Sequence, residues 1–488
     1  MDRSAKIVAT VGPASSDRRM LQRLLRAGVD VVRLNVSHGD RDQHRAVIQR
    51  LRRLDRELGR FTAIIVDLMG PRYRLGEVAE GVVLRRGQRV TLGSRTGAGK
   101  SADLDLDSSI LKYVKEGERI LIDNGLVEIE VLEKRRGLLE ARVLSGGPVS
   151  TRKGINLPDS KLPFSVSAKD REDIAMAVEE DADYLAASYV GSARDVAAVR
   201  EVIEEMGGAI PIIAKLERGR AVAHLDEIVS ASDAVMVARG DLGVEIPLHQ
   251  VPVIQKRIVE SGLHQAKPVI VATQMLESMM EHPRPTRAES SDVANAVFDG
   301  ADALMLSGET AAGRYPVEVV RTMDKIIREA EGHQRQRSGE LLAVRGRSYA
   351  VGPFDLEVAA EGGNQGIAET IAAAAVLSAK QLGARRIVAL TQGGYTVRRV
   401  SSHRPSTPVI ALTRDPATAR RSQLVWGARP LSLGEEVMHH DEVVRRVDQL
   451  LLEGRLASPG EQVAILMGDP IEERPPTNLL RLHRVRAE

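Results

Sequence analysis

Three charged side chains stand where aliphatic runs give out. Lys215 and Glu217 close the run IPIIAKLE (210–217), and Asp241 closes the next, SDAVMVARGD (232–241). Residues two apart on a strand point to the same side, and neighbouring strands lie ~5 Å apart. Two carboxylates at that separation could share one hard, octahedral Mg²⁺ and leave positions for water and substrate oxygens. A lysine beside them suits phosphoryl transfer, where charge on the group in flight needs a fixed cation. Arg33, Asn35 and Ser37 alternate in the same way along VDVVRLNVS (29–37). A ring of Lys–Glu/Asp ion pairs closing a barrel would explain the same spacing, and spacing leaves both readings open.

The elements that must hold these residues follow one rhythm. A short aliphatic run ends in a polar residue, and a stretch with helical apolar period follows. Eight such runs occur: 5–10, 29–37, 62–67, 182–188, 210–217, 232–241, 267–274 and 302–309. Eight strands alternating with helices predict an α/β fold, a (β/α)8 TIM barrel, with a doubly wound open sheet as the alternative. The polar run ends include Thr10, Asn35, Ser37, Asp67, Ser188, Thr273, Ser307 and Glu309. In a barrel all of them gather at the C-terminal mouth, the active face of that fold. Some of the serines and threonines could simply cap the next helix.

The rhythm breaks between the third and fourth runs. GVVLRRGQRVTLG, GERILIDNGLVEIEVLE and LLEARVLSGG read as antiparallel strands and hairpins. The expected organisation is a discontinuous catalytic barrel (1–70 and 163–340), an inserted antiparallel β lid domain (71–162) and a C-terminal α/β regulatory domain with a mainly parallel sheet (355–488). The last barrel helix is expected over 315–331, followed by a Gln/Arg-rich connector.

Composition removes several function classes. The 69 basic and 67 acidic residues nearly cancel and show no long basic run, which argues against nucleic acid and against membrane surfaces as partners. Zero cysteines exclude disulfides, thiolate metal sites and Cys nucleophiles. MDRSAKIVAT has no signal-peptide pattern, so a cytoplasmic location is expected. GSRTGAGKS (93–101) nearly spells a phosphate-binding P-loop, but Ser94 stands where the first glycine must be, so a hairpin loop is expected. Histidines other than His38 are expected at the surface or in loops, and the pair His439-His440 has no framework for zinc.

Longer strings carry a resemblance. KIVATVGPAS, VVRLNVSHG, IIAKLE, VARGDLGVEIP, PVIVATQMLESM, PRPTRAESSDVANAVFDGAD and MLSGETAAGRYP resemble the pyruvate kinase family in order and spacing, and KGINLPD resembles the end of that family's inserted domain. The resemblance implies Mg²⁺-dependent (or Mn²⁺-dependent) transfer from phosphoenolpyruvate to ADP, giving pyruvate and ATP. It implies that Arg33 binds substrate phosphate, that Lys215 stabilises the phosphoryl group, and that Glu217 and Asp241 hold the metal. Gly240 and Asp241 amides would contact the substrate carboxylate, and Thr273 would lie beside the protonated carbon. Asn35, Ser37, His38, Arg74 and Lys153 match nucleotide-side positions, Lys153 arriving as the lid closes. A homotetramer is implied.

Two departures matter. The family's usual DTKGPEIRTG is here DLMGPRYRLG, with Arg72 in place of Glu and Leu68 and Leu75 in place of Thr. Asn35, Ser37, Asp67 and the Leu68 carbonyl could still hold a monovalent cation, but a guanidinium nearby would repel it or replace its charge. The pattern resembles the potassium-independent branch, so K⁺ is not expected to be required. In the third unit the effector loop reads Thr391-Gln392-Gly393-Gly394-Tyr395-Thr396, and the facing GDPIEERPPTN brings Glu472, Glu473 and two prolines. Acidic charge and missing amides argue against fructose bisphosphate. Another sugar phosphate or a nucleoside monophosphate remains the candidate phosphorylated effector. The rival readings are a Mg²⁺-dependent phosphoenolpyruvate or pyruvate lyase or aldolase, and a non-catalytic metabolite sensor.

Overall fold

The computed structural model describes residues 3–71, 73–94, 102–135, 137–345, 364–434, 440–469 and 475–487. Eight parallel strands close into a barrel: Lys6–Val11, Val31–Asn35, Ala63–Asp67, Tyr184–Ala187, Ile212–Leu216, Ala234–Ala238, Val269–Ala272 and Ala303–Leu306. Each pairs with its neighbours in sequence, and the first closes on the eighth with Lys6 opposite Ala303. This closure excludes the open sheet. Helices cover the outside, so both faces of each strand are buried and the strands read as continuous aliphatic runs.

Alternation along each strand sorts side chains between the two faces. Val8, Val31, Ile65, Ala186, Ile213 and Met305 pack together inside the barrel. Two residues further along each of those strands, facing the same way, stand Thr10, Arg33, Asp67, Ser188, Lys215 and Ser307. The apolar lumen therefore ends in a polar layer at the mouth. Six of the eight aliphatic runs overshoot the C-terminal ends of their strands by one to three residues. Lys215 lies on its strand, Glu217 one residue beyond its end, and Asp241 in the first turn of the helix Arg239–Glu245 rather than on a strand.

After the third strand the chain builds a seven-stranded sheet, antiparallel except where Arg89–Gly93 runs parallel to Leu104–Asp105. Its own core contains Leu92, Ile120, Ile129 and Leu139. A separate strand pair, Val83–Leu84 with Gly147–Pro148, lies beside it. The hairpin expected at 93–101 lies outside the described residues apart from Gly93 and Ser94.

The barrel's last helix runs from Pro316 to Arg345, well past the expected end at 331. Gln and Arg are good helix formers, so a Gln/Arg-rich stretch does not by itself stop a helix. The C-terminal unit has five strands in the order Ala428–Ser432, Val409–Thr413, Arg386–Leu390, Gln462–Met467 and Leu479–Arg484, all parallel but the last. The first and last of these are the edges of the sheet. Ala428–Ser432 contains Pro430, which an edge strand tolerates. His483, expected on the surface or in a loop, is buried on the final strand, with Nε2 2.8 Å from Asp448 Oδ1.

This unit sits against the N-terminal ends of the barrel strands. Arg404 donates to Asp302 Oδ2 (2.8 Å), Arg420 to Asp183 Oδ1 (2.7 Å) and Lys6 Nζ to the Ala428 carbonyl (2.6 Å). Asp183 and Asp302 also accept the amides of Ile64 and Val269, so each carboxylate ties a strand start to the C-terminal unit.

Asp55, on the helix Arg41–Leu58, accepts from Thr62 N (2.9 Å) and Thr62 Oγ1 (2.6 Å). Burial pushes its carboxyl up to about 6, against the pull of those hydrogen bonds. A raised carboxyl favours the fold most below its unfolded value, and that contribution is lost as pH rises through the folded value. Asp55→Asn should therefore gain melting temperature relative to wild type as pH rises from about 4 to about 6, and keep a constant offset above about pH 7. Thermal melts that keep the same offset at every pH would contradict this.

Candidate active site

The mouth is organised around one lysine. Lys215 Nζ lies 2.6 Å from Ser188 Oγ, 2.8 Å from Glu217 Oε1 and 3.2 Å from Asp67 Oδ1. Burial alone would lower its pKa, but Asp67 and Glu217 reverse that and hold it above the ordinary lysine value. Ser188 Oγ donates in turn to the Leu68 carbonyl (2.8 Å), which fixes the acceptor that Lys215 uses. Arg33 places Nε 2.6 Å from Asp67 Oδ2 and Nη1 3.0 Å from Thr10 Oγ1. Burial would raise Asp67, yet Arg33 and Lys215 together hold it below the usual carboxylate range. A permanent carboxylate thus clamps both cations.

Glu217 is in a different state. Burial pushes its carboxyl up to about 7; Lys215 pulls it down, while Asp241 pushes it further up. Its second oxygen accepts the Tyr189 amide at 2.6 Å. The negative charge of Asp241 beside the buried Glu217 makes this oxygen pair favourable for a cation. A hard divalent ion fits this oxygen pair, completing its shell from water and substrate. Among the described residues no group of three His, Asp or Glu side chains gathers for a metal, so the protein offers two carboxylates here.

The other side of the mouth is a strained turn. Thr273 and Gln274 follow the seventh strand with φ of 68° and 52°, a conformation that costs a β-branched residue of order 1–3 kcal/mol. Arg239 donates to the Thr273 carbonyl (2.7 Å), and Gly240 N donates to Thr273 Oγ1 (2.8 Å). Arg239 is held by Asp292 at 2.8 Å. This bracing brings Thr273, Gly240 and Asp241 to the edge of the site. Gly70 lets the chain leave the third strand: it has φ of 67°, and a Cβ there would stand 2.9 Å from Ser188 Cβ.

Not every expected residue joins this group. Asn35, Ser37 and His38 lead out of the second strand, and Asn35 Oδ1 accepts the Ser37 amide at 3.2 Å. Arg74 lies on the inserted sheet and Lys153 just before its strand Gly154–Asn156. Arg74 donates to the Arg152 carbonyl (3.0 Å) and Lys153 pairs with Asp123 (2.6 Å). Among the described residues, no hydrogen bond or ion pair ties either to the barrel. Arg72, Glu472 and Glu473 lie outside the described residues. The loop Thr391–Thr396 and the C-terminal loop do meet, with Thr396 Oγ1 2.7 Å from Thr477 Oγ1.

Sequence reading missed Arg239, which braces Thr273, although it stands inside VARGD. It also missed a link between Asn156 of the inserted sheet and Glu245 at the end of the Asp241 helix, 3.2 Å apart. Glu245 is itself raised by burial. Asn156 and Glu245 follow no aliphatic run on a barrel strand, and Arg239, directly after Ala238, falls in the phase opposite to the lumen residue Met236, so period-2 reasoning passes over all three.

The barrel mouth thus presents a clamped lysine and a carboxylate pair beside an inserted β unit. The family described as "Pyruvate kinase, barrel domain" matches residues 2–320, and "Pyruvate kinase, alpha/beta domain" matches 369–483. Pyruvate kinases of Agrobacterium vitis and Mycobacterium tuberculosis are each 41% identical. The first covers 100% of this chain and 98% of the relative, the second 99% of each. The crystal structure of a pyruvate kinase from Cryptosporidium parvum aligns with a TM-score of 0.87 at 33% identity, over 99% of this chain and 96% of that one. The chain belongs to the pyruvate kinase family. It is a phosphotransferase that uses a divalent metal and works on phosphoenolpyruvate, ADP or ATP, and pyruvate.

Proposed function

We propose that phosphoryl transfer takes place at the barrel mouth, with Lys215 as the charge that accompanies the phosphoryl group and Arg33 and Thr273 as its partners. The observation that carries this is the three-way clamp on Lys215 by Ser188, Glu217 and Asp67. It fixes a permanent cation in a buried site, where its field is strongest. Arg33 commits Nε and Nη1 to the fold and keeps Nη2 for a substrate phosphate oxygen.

An ADP oxygen attacks phosphorus, the bond from phosphorus to the enol oxygen breaks, and the leaving enolate collects a proton at its terminal carbon beside Thr273. The Asp241 amide, and the Gly240 amide once it leaves Thr273 Oγ1, hold the substrate carboxylate at this helix start. Glu217 and Asp241 would hold Mg²⁺, which would neutralise charge on the phosphoryl and enolate oxygens. Lys215, released by Glu217, has an N–H for the phosphoryl group. The inserted sheet (71–162) acts as the lid that carries Arg74 and Lys153 to the nucleotide beside Asn35, Ser37 and His38. The barrel over 1–70 and 163–340 does the chemistry. The C-terminal domain over 355–488 takes a phosphorylated effector at Thr391–Thr396. The protein works in the cytoplasm as a homotetramer.

Potassium is not needed on this reading. Asp67 already neutralises two cations, and the Leu68 carbonyl is taken by Ser188. Pyruvate formation from phosphoenolpyruvate and ADP, coupled to lactate dehydrogenase, tests both points. Turnover should require Mg²⁺ and should persist when K⁺ is replaced by tetramethylammonium. Collapse in tetramethylammonium would show that the Asn35, Ser37, Asp67 and Leu68 oxygens do hold a working K⁺.

A further inference from the structure

The helix Arg239–Glu245 faces two ways. Its first turn carries Gly240 and Asp241 at the mouth. Its last residues meet the inserted sheet. Asn156 Nδ2 donates to Glu245 Oε1 at 3.2 Å, and Val244 lies beside the turn at Gly125, where a Cβ would stand 3.7 Å from Val244 Cγ1. Seven residues of helix span about 10 Å, and Leu242 between the two ends is fully buried. An element this short moves as one piece, so whatever displaces Glu245 also displaces Asp241.

A second line runs from the same contact to Glu217. Arg218 follows Glu217 and is only 9% exposed. It lines a narrow crevice under the inserted sheet with Tyr73, Asn156, Tyr189 and Glu245. Among the described residues its guanidinium makes no hydrogen bond and no ion pair. An enclosed charge without a partner is costly, so Arg218 is a standing alternative partner for the Glu245 carboxylate. Burial raises that carboxyl, and Arg218 is the strongest pull against the rise, ahead of the Asn156 hydrogen bond. Tyr189, on the same wall, gives its amide to Glu217 Oε2 at 2.6 Å from a backbone with φ of 60°.

The plain explanation of the Asn156–Glu245 bond is that it only parks the inserted sheet against the barrel. That leaves the guanidinium beside the same carboxylate unexplained. It also leaves unexplained why the bond falls on the helix that carries Asp241, next to the residue that follows Glu217.

We propose that Glu245 is a positioning residue with two partners, Asn156 when the inserted sheet is docked and Arg218 when it swings away, and that this exchange carries lid position to the metal carboxylates. This rests on the inserted sheet being a lid and on Glu217 with Asp241 being the metal pair. With the lid docked, Glu245 stays on Asn156 and the helix holds Asp241 beside Glu217. With the lid away, Arg218 captures Glu245, the helix follows, and the carboxylate pair spreads. Metal is then held most firmly under a docked lid, and by reciprocity bound metal favours docking.

Mn²⁺ is titrated alone, without substrates, and the free ion is counted by electron paramagnetic resonance. Asn156→Ala should weaken Mn²⁺ binding by about threefold to tenfold, although Asn156 is no part of the carboxylate pair. Glu245→Gln should stay within about twofold of wild type, because glutamine keeps an acceptor for Asn156 and offers Arg218 no charge. The decisive protein is the double variant. Adding Glu245→Gln to Asn156→Ala should restore binding to within about twofold of wild type, since nothing then draws the helix toward Arg218. A simple docking bond predicts that the double variant is no better than Asn156→Ala. That result, or wild-type affinity in Asn156→Ala, would overturn the proposal. Thermal melts check folding, and Asn156→Ser, whose hydroxyl is too short to reach Glu245, replaces the alanine variant if its melt is not cooperative. Glu217→Gln, titrated beside them, separates this link from the site it rests on. Weakened binding there with none in Asn156→Ala sinks the link alone, whereas unchanged binding in Glu217→Gln sinks the metal pair and the link together.

Discussion

Replacing Lys215 with methionine is expected to lower kcat for pyruvate formation by about a thousandfold or more, with a much smaller change in KM for phosphoenolpyruvate. Methionine keeps the unbranched stem and fills similar space, so the loss isolates the ammonium. Arg33 remains to hold ground-state phosphate, which is why KM should move less. Asp67 keeps its 2.6 Å contact with Arg33, so the fold survives with a carboxylate still compensated, and a cooperative thermal melt should confirm it. The lactate dehydrogenase coupled assay reads the rate. A variant within tenfold of wild type would mean that Lys215 only closes an ion-pair ring, the structural alternative that spacing left open.

The second large effect concerns the carboxylate pair. Glu217→Gln should raise the Mg²⁺ needed for half-maximal rate by at least about tenfold, and kcat should fall by about a hundredfold. Glutamine keeps the shape and still offers an oxygen to the Tyr189 amide, so the change is mainly one of charge. Binding can be followed apart from turnover by titrating Mn²⁺ and counting the free ion by electron paramagnetic resonance. Unchanged Mn²⁺ affinity would remove Glu217 from the metal site.

Much of this site was legible because a barrel strand is a period-2 object with an apolar lumen. Once Ile213 is placed inside, Lys215 must face the mouth, and the same counting places Thr10, Arg33, Asp67 and Ser188. What could not be counted is what leaves the strands. Asp241 reaches the site from a helix turn, and Thr273 depends on a left-handed turn braced by Arg239, a geometry that no residue type announces. The long helix after Pro316 was cut short because its polar face looked like a connector, and its end carries no proline to mark it. The strand with Pro430 is hard to read from sequence because proline usually argues against a strand, and only its edge position makes it acceptable. The contacts that seat the C-terminal unit join residues a hundred or more positions apart, such as Arg404 with Asp302, and local pattern holds no trace of them.

The register that closes the ring also sets an order of events during synthesis. Lys6 pairs with Ala303, so the first strand cannot complete its ladder until about 300 more residues have been made, roughly 15–60 s at ribosomal rates of 5–20 residues per second. The inserted sheet takes all its partners from between Tyr73 and Asn156 and can be finished long before that. Until the eighth strand arrives, the growing barrel is a curved sheet with two bare edges, a form open to pairing with other chains. The nascent protein is therefore most exposed to aggregation late in its synthesis, and a message truncated before Leu306 would release a chain that can never shed those edges.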